Sequence, residues 1–269
     1  MPSHSTTHTP RSRRFQEHVL PWIKRGVLAL LALGLVGGFS LLVFAAWVSK
    51  DLPDPNSLNT LHSPESTKIY DRTGNVLLYE IYGNERRTLV PINEIPKTLQ
   101  HATVAIEDRR FYEHGGVDWV GLVRAVVRNA LRGQSPRGTS SLTPQLVRNT
   151  IISNQGGYLR KLKEIILALQ IERLYSKDQV LQMYLNEVPY GATVYGVESA
   201  SQVYFGKAAN DLTLDEAALL ASIPQAPDRL SPYGTGVRGD NRPQLVARQK
   251  LVLTKMAEQG FVSQEEAEA

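Results

Sequence analysis

The sequence predicts a mainly α-helical domain that follows one membrane-spanning helix and a small β-hairpin. Three observations support this fold class. An uncharged apolar run covers residues 26–48, two short strand-like segments follow residue 66, and capped helices succeed one another after Pro96. With 269 residues, of which 42% are hydrophobic, the chain can form one sizeable domain with appendages.

The composition excludes several kinds of site. The chain has no cysteine, which rules out a disulfide framework, a thiolate metal site and a cysteine nucleophile within it. The formal net charge is +4, a mild excess that fits a membrane surface or a phosphate-bearing substrate. No nucleic-acid partner is expected.

Residues 26–48 are predicted to cross a membrane. These 23 residues rise about 1.5 Å each and so span roughly 35 Å, against a bilayer core of about 30 Å. A cleaved signal peptide has a shorter apolar region, and a buried core helix is the remaining alternative. Basic residues crowd the upstream flank, so the positive-inside rule predicts a cytoplasmic tail over 1–25 and an extracytoplasmic domain after Lys50. The expected location is the plasma (inner) membrane, with a single pass.

The segment after the apolar run is predicted to be a linker followed by a hairpin. Residues 49–65 carry three prolines among polar residues, which favours an extended spacer. Residues 67–70 and 76–82 are predicted strands on either side of a turn that contains Gly74. They begin the main domain, which is expected to cover residues 66–260.

Start and stop signals predict the helices of this domain. Pro96 suits the first position of a helix that runs to Glu107, and Asp118 suits the cap of a helix over 119–131 that Gly133 ends. A helix over 243–259 ends at Gly260. Helix-initiating capping boxes are predicted at three further sites: Ser176 with Gln179, Thr213 with Glu216, and Ser263 with Glu266. The last box makes residues 261–269 the start of an unfinished helix.

A further helix is predicted over residues 158–174. It places Leu159, Leu162, Ile166 and Leu169 on one side.

Three polar clusters are candidates for chemistry. The first begins at Glu107, where a helix runs into a turn, so its carboxylate is placed to enter a cleft as a general base. The alternative is a solvated helix end. The second cluster supplies hydroxyl, amide and guanidinium groups at a helix start, which favours anions; the alternative is an ordinary Ser/Thr-rich loop. Its candidate binding residues are Ser140, Gln145, Arg148 and Asn149.

The third cluster combines two cations and a carboxylate on one helical face. Arg160 and Glu164 are four residues apart, and Lys161 and Glu164 are three apart. Two cations on a rigid element suit a pyrophosphate. The alternative is a surface salt bridge of little energetic weight.

The order and spacing of these clusters resemble glycosyltransferase family 51, the peptidoglycan polymerases. The resemblance covers roughly residues 66–253. Four motifs carry it, and a fifth, Arg248-x-x-x-Val252-Leu253, fits incompletely. The four are Glu107-Asp108-x-x-Phe111-x-x-His114-x-Gly116, Gly138-x-Ser140-Ser141-Leu142-Thr143-x-Gln145-Leu146-Val147-Arg148-Asn149, Arg160-Lys161-x-x-Glu164, and Lys177-x-x-Val180-Leu181-x-x-Tyr184-Leu185-Asn186.

The resemblance implies a lysozyme-like helical glycosyltransferase domain that polymerises lipid II. It makes Glu107 the base and Glu164 a second catalytic residue. It also implies substrate-binding roles for nine residues: Asp108, Phe111, His114, Ser140, Gln145, Arg148, Asn149, Arg160 and Lys161. No organic cofactor is implied, and a divalent cation, Mg²⁺ or Mn²⁺, is allowed near Glu164. The implied partners are lipid II, the lipid-linked glycan chain, the membrane and other cell-wall synthesis proteins.

Two departures from the family pattern leave alternatives open. Pro144 stands where the family has the first Gln of a pair, and Gln249 stands where the fifth motif has a second Arg. A weakly active membrane-anchored scaffold is therefore one alternative, and a lysozyme-like peptidoglycan hydrolase is another. The opening hairpin resembles that of bifunctional penicillin-binding proteins, so a transpeptidase domain is expected beyond residue 269.

Overall fold

The computed structural model describes residues 20–49, 52, 55, 65–74, 76–131, 140–152, 158–232 and 240–268. The chain divides into two units, Met1–Leu52 and Pro53–Ala269. Most of the predicted tail over 1–25 and of the predicted linker over 49–65 lies outside the described residues, as does Gly133.

The first unit contains helix α1, Leu20–Ser49. The stretch Trp22–Val48 within it has a mean hydropathy of 2.6 and is the one described helix long and apolar enough to cross a membrane. The helix begins before the predicted residue 26, because helical geometry continues back through the basic residues Lys24 and Arg25. Its length and composition fit a membrane location.

The second unit opens with the predicted hairpin. Strand β1 (Thr67–Tyr70) pairs antiparallel with β2 (Leu77–Ile81), with an irregularity in register between Ile69 and Tyr70. Gly74 has a φ of +74° in the turn, a conformation that glycine adopts without strain.

The rest of this unit is helical apart from one short strand pair, which confirms the predicted mainly α fold. Strand β3 (Arg86–Arg87) runs parallel to β4 (Val194–Tyr195). The helices are α2 Lys97–Glu107, α3 Trp119–Leu131, α4 Leu142–Thr150, α5 Tyr158–Leu174, α6 Lys177–Glu187, α7 Val197–Phe205, α8 Leu214–Ser222, α9 Pro227–Leu230, α10 Arg242–Glu258 and α11 Gln264–Glu268.

Most predicted helix starts are present. Ser176 and Thr213 each form a complete capping box, with Gln179 and Glu216 as the reciprocal partners. At the third site, the Ser263 hydroxyl accepts a hydrogen bond from the backbone N–H of Glu266. The Glu266 carboxylate in turn accepts one from the backbone N–H of Ser263. The carboxylate of Asp118 accepts a 2.8 Å hydrogen bond from the Gly121 amide at the start of α3.

Pro96 lies just before the first residue of α2, whereas it was predicted to be that first residue. It has extended backbone dihedrals and serves as the N-cap of α2, so the helix itself begins at Lys97.

The fully buried face of α5 is not the side that carries Leu159, Leu162, Ile166 and Leu169. Leu159 is 52% exposed, whereas Leu167, Ala168 and Ile171 are completely buried. Glu164 shares their helical face and is also buried. A carboxylate therefore belongs to the inward face of this helix.

The packing of the helices brings parts of α2, α4 and α10 together, although they are far apart in the sequence. Helix α8 packs against α2 and α10, and α4 packs against α5 and α6. Within these contacts the largest buried side chains include Leu99, Leu146, Leu167, Leu181 and Leu220. The C-terminal end of α2 thereby meets the middle of α10 and the first turns of α4, and all three contribute to the site.

Buried polar groups fix the segment that leads into α2. The side-chain amide of Asn186 donates to the Val90 carbonyl (2.8 Å) and accepts from the Val90 amide (3.0 Å). The Arg87 guanidinium, also buried, pairs with Glu85 and Glu187. The main chain is therefore held in place on the side from which α2 and Glu107 extend.

Candidate active site

Glu107 ends α2 and is held by two side chains from distant parts of the sequence. Its Oε1 lies 3.3 Å from Nη2 of Arg248, and its Oε2 accepts a 3.1 Å hydrogen bond from Nε2 of Gln145. The side chain of Glu107 is only 10% exposed. It is therefore a fixed, nearly buried carboxylate, and the alternative of a solvated helix end is wrong.

Arg248 is itself anchored. Its Nε donates to the Ser222 carbonyl at the end of α8 (2.9 Å) while Nη2 reaches Glu107. Burial lowers the pKa of this guanidinium, and the neighbouring Glu107 carboxylate acts in the opposite direction. A guanidinium stays protonated in proteins, so a positive charge lies permanently beside the carboxylate.

Gln145 is oriented from both ends of its amide. Nε2 donates to Glu107 and to the Ser140 carbonyl (2.9 Å), and Oε1 accepts from the hydroxyl of Tyr184 (3.4 Å). Tyr184 is fully buried, and burial raises the pKa of its hydroxyl well above the usual value. The phenol therefore remains a neutral donor, and it fixes which end of the amide faces Glu107.

Ser140 joins the first cluster to the third. Its carbonyl binds Gln145, and its hydroxyl accepts a 2.9 Å hydrogen bond from Nζ of Lys161 on α5. Lys161 also lies 3.2 Å from Glu164, whose other oxygen is 3.4 Å from Nε of Arg160. The predicted grouping of Arg160, Lys161 and Glu164 is present, and it adjoins Glu107 through two side chains.

The third cluster differs from a surface salt bridge. The side chain of Glu164 is only 2% exposed, whereas Arg160 and Lys161 are 38% and 50% exposed. A buried carboxylate thus holds two cations whose charged ends remain accessible. This arrangement can present positive charge to an anionic ligand without movement of the helix.

The side chains of Asp108 and His114 bind each other. Nε2 of His114 lies 3.0 Å from Oδ1 of Asp108, and Oδ2 of Asp108 accepts from the Leu142 amide (3.0 Å) at the start of α4. Both side chains are at most 6% exposed. The geometry gives these residues a position that ties the turn after Glu107 to α4. Asp108 also lines the cavity beside Glu107. The substrate-binding roles of both residues stay predictions.

Phe111 lies beneath the site. Its side chain is completely buried, and Nζ of Lys177 lies 4.3 Å from the ring centroid. Lys177 is in turn 2.5 Å from Glu172, which also accepts a hydrogen bond from Thr143. The substrate-binding role of this enclosed ring stays a prediction. The ring shapes the site from beneath, as part of a network that links three of the four motifs.

Arg148 and Asn149 lie half-buried in the last turn of α4. The charge of Arg148 acts on the hydroxyl of Tyr184, which places it near the Glu107 network. The substrate-binding roles of Ser140, Gln145, Arg148 and Asn149 stay predictions.

The two departures from the family pattern have mild structural consequences. Pro144 is the third residue of α4, where a backbone N–H has no acceptor within the helix, so the ring removes no helical hydrogen bond. The side chain of Gln249 donates to the Asp215 carbonyl (2.9 Å) and so ties α10 to α8. Neither residue disturbs the contacts of Glu107.

Sequence reasoning missed Arg248 and Tyr184 as parts of this site. Both stand in family-like motifs, but nothing local indicates that either side chain reaches Glu107 or Gln145. The available signal was physical: a buried arginine or tyrosine hydroxyl needs a polar partner.

The described residues contain no group of three His, Cys, Asp or Glu side chains that could hold a metal ion among themselves. At the place where a divalent cation was expected, Glu164 has two cations as its neighbours.

Comparison with known proteins assigns the chain to a protein family. The family model described as Transglycosylase matches residues 74–257. Penicillin-binding protein 1A from Aquifex aeolicus is 39% identical over 246 residues, which is 91% of this chain and 33% of that protein. Its Escherichia coli namesake is 36% identical over 247 residues, 92% of this chain and 28% of that protein.

A solved structure of penicillin-binding protein 1A from Haemophilus influenzae is 24% identical and covers 76% of this chain and 20% of its own, with a TM-score of 0.42. The chain spans about a third of the length of the relatives it matches. The family model covers well over half of the chain, and its matched range contains Glu107, Glu164 and Arg248. The chain belongs to the transglycosylase family.

Proposed function

We propose that this chain is a membrane-anchored peptidoglycan glycosyltransferase that polymerises lipid II. One observation carries the proposal. A nearly buried carboxylate, Glu107, is linked through Gln145 and Ser140 to the accessible cations Lys161 and Arg160. A base beside a cationic cluster suits a reaction in which a hydroxyl attacks and a pyrophosphate leaves.

The attacking group needs the base. In the proposed step, Glu107 removes the proton from the 4-hydroxyl of the acceptor N-acetylglucosamine, since a sugar hydroxyl is a weak nucleophile. The freed oxygen forms a bond to the anomeric carbon of the donor N-acetylmuramic acid. The bond from that carbon to the pyrophosphate oxygen breaks with inversion, and its electron pair leaves with undecaprenyl pyrophosphate. The proton then passes from Glu107 to solvent.

The leaving group needs positive charge rather than a proton. Charge that develops on the departing pyrophosphate is stabilised most by donors that are already in place. Glu164 holds Arg160 and Lys161 in such positions, and Arg148 adds a third cation from α4. Glu164 would thus act by positioning these cations.

Glu164 is also the residue that would hold a divalent cation. Mg²⁺ is commonly bound by one or two carboxylates together with substrate phosphates. Such an ion would add to the charge that neutralises the leaving group. The side chains of Arg160 and Lys161 would also help to neutralise the leaving group.

A lipid-linked substrate agrees with the N-terminal helix. The stretch Trp22–Val48 has the length and composition to cross a bilayer. We propose that the basic residues before it keep the N-terminus in the cytoplasm and that the enzymatic domain is extracytoplasmic. The anchor keeps the domain at the membrane that carries its substrate.

A hydrolase is the competing function. A glycosidase must protonate its leaving oxygen and uses a second carboxyl about 5–9.5 Å away for this chemistry. The partners of Glu107 here are instead a guanidinium and an amide.

The experiment incubates the full chain, in detergent micelles, with labelled lipid II and resolves the products. The proposal predicts long glycan polymer and released undecaprenyl pyrophosphate. A parallel incubation supplies preformed peptidoglycan, and short reducing fragments from it, with no polymer from lipid II, would establish the hydrolase instead.

A further inference from the structure

Glu172 lies in the last turn of α5 and binds side chains from two other helices. One of its carboxylate oxygens accepts a hydrogen bond from the hydroxyl of Thr143 at the start of α4. The other lies 2.5 Å from Nζ of Lys177, the first residue of α6. The side chain of Glu172 is only 4% exposed, and Thr143 is completely buried. A single carboxylate therefore joins three helices inside the domain.

The positions of Glu172 and Lys177 are unfavourable within their own helices. An acidic side chain near the C-terminus of a helix opposes the helix dipole, and so does a basic side chain at the N-terminus. Removal of the carboxylate from water adds a further cost. The two charges are compensated by each other and not by their helices. Such departures from local preference are expected mainly at functional sites.

Lys177 connects Glu172 to the turn that follows the proposed base. Its Nζ lies 4.3 Å from the centroid of the buried Phe111 ring, which is a cation–π contact. The same ring meets the ring of His114 edge-on, with 6.5 Å between their centroids. Through Lys177, Glu172 thereby supports the turn on one side of the base.

Thr143 connects Glu172 to the segment on the other side of the base. It is the second residue of α4, and Gln145 lies two residues further along the same turn. The side-chain amide of Gln145 donates to Glu107. By holding Thr143, Glu172 restrains the part of α4 from which Gln145 reaches the base.

We propose that Glu172 is a positioning residue for the reaction, because it holds the two segments that flank Glu107 in one fixed arrangement. This inference rests on the proposed function, in which Glu107 is the base. Glu172 is nearly buried and acts through Thr143 and Lys177 rather than on substrate. A misplacement of about 1 Å that is caused far from the chemistry can cost about 100-fold in rate, so loss of this support should lower kcat.

Kinetics of the full chain in detergent micelles test this role. Glu172→Met keeps the length of the side chain and removes both contacts. Its kcat for lipid II polymerisation should fall about tenfold or more while KM stays within about threefold, because no substrate contact is lost. Glu172→Gln can still accept from Thr143 but cannot form the ion pair, so its kcat should lie between those of the wild type and Glu172→Met.

The matched control is Glu258→Met, which breaks the exposed ion pair with Lys255. Its kcat and KM should equal those of the wild type. A Glu172→Met variant with the kcat of this control would overturn the proposal. A rise in KM with unchanged kcat would also overturn it, because that result indicates a role in substrate binding.

The double variant Glu172→Met/Lys177→Met separates positioning from stability. Glu172→Met alone leaves the charge of Lys177 without its partner, which destabilises the fold, whereas neutralising both partners often restores stability. The double variant should therefore unfold closer to the wild type than Glu172→Met does, while its kcat stays low. Recovery of kcat together with stability would contradict the proposal, because Glu172 would then only neutralise a charge.

Thr143→Val tests the second contact, since valine keeps the shape of threonine and lacks the hydroxyl. In the wild-type background it should lower kcat, and in the Glu172→Met background it should have little further effect, because residues that share one contact are not additive. Additive losses of kcat would refute the role of this contact. A wild type that makes no polymer would refute the proposed function. The same pair of variants, measured by unfolding free energy, would then still decide whether Glu172 and Thr143 are coupled, and additive losses there would refute the coupling as well.

Discussion

The guanidinium of Arg248 lies 3.3 Å from the carboxylate of Glu107, although 141 residues separate them in the chain. Because Nε of Arg248 is bound to the Ser222 carbonyl, the group that faces Glu107 cannot turn away freely. The position of the proposed base is therefore determined by the packing of α10 against α8 and α2 as much as by its own helix.

Arg248→Ala should lower kcat for lipid II polymerisation by about 100-fold, the usual effect of removing one preorganised charged group. Arg248→Lys should recover only part of this loss, since an ammonium cannot reach Ser222 and Glu107 with a planar fork. The neighbouring Gln249→Ala is the control, because its side chain contacts Asp215. Equal activity in the Arg248→Ala and Gln249→Ala variants would show that the contact has no role.

Two buried tyrosines provide a matched pair. Tyr184→Phe removes the hydroxyl that orients Gln145 and should lower kcat about three- to tenfold, with a stability loss of about 1 kcal/mol. Tyr190 is also completely buried, but within the described residues its hydroxyl has no hydrogen-bond partner.

Tyr190→Phe should therefore lower kcat less than Tyr184→Phe, because in the described part of the chain the Tyr190 hydroxyl orients no side chain of the site, although burial, and after it the Glu107 charge, raises its pKa. The variant should be neutral or stabilising by up to about 1 kcal/mol, because an unsatisfied polar group is removed. Steady-state kinetics and denaturant unfolding of both variants check this. The same effect on kcat in both would contradict a specific role for Tyr184.

Two glycines with positive φ separate backbone strain from steric clash. Gly206 has a φ of +68° and open space where a Cβ would lie, so Gly206→Ala should cost about 1–2 kcal/mol of unfolding free energy. Gly196 has a φ of +76°, and an added Cβ would lie 2.6 Å from the Asn186 carbonyl oxygen. Gly196→Ala should cost clearly more, since strain and overpacking add. Equal unfolding free energies would mean that the contact relaxes without cost.

His101 should make stability depend on pH. Its ring stacks on Phe261 at 4.4 Å between centroids, and burial, followed by the charge of Lys97, lowers its pKa. Below the ordinary pKa of about 6.5, the unfolded chain takes up a proton that the folded protein resists, so stability falls on acidification and is unaffected above that pH.

His101→Phe keeps an aromatic ring and cannot titrate. Denaturant unfolding of both proteins between pH 5 and 8, a range set around that ordinary pKa, should show a smaller acid-side loss in the variant. Parallel curves would contradict the lowered pKa.

Features that depend on neighbouring residues could be predicted from the sequence. The Ser176 and Thr213 capping boxes and the hairpin around Gly74 are local, and all are present. The contribution of Arg248 could not be predicted, because it depends on how α10 packs. The burial of Glu164 on the inward face of α5 could not be predicted either, since burial of a carboxylate is favourable only where cations such as Arg160 and Lys161 accompany it.

Within the first motif too, the sequence alone does not show which role each residue has. Glu107 and Phe111 have the spacing of the family, but spacing does not distinguish a residue that meets substrate from one that supports it. Only the complete burial of Phe111 beneath Lys177 separates these roles.

The measurement that tests the central claim most directly is lipid II polymerisation by Glu107→Gln. Glutamine keeps the shape of the side chain and cannot act as a base, so polymer formation by the folded variant should fall about 100-fold or more. Some loss of stability is expected as well, because the charge that faces the guanidinium of Arg248 is removed. Folded Glu107→Gln protein that polymerises lipid II at the wild-type rate would contradict the account.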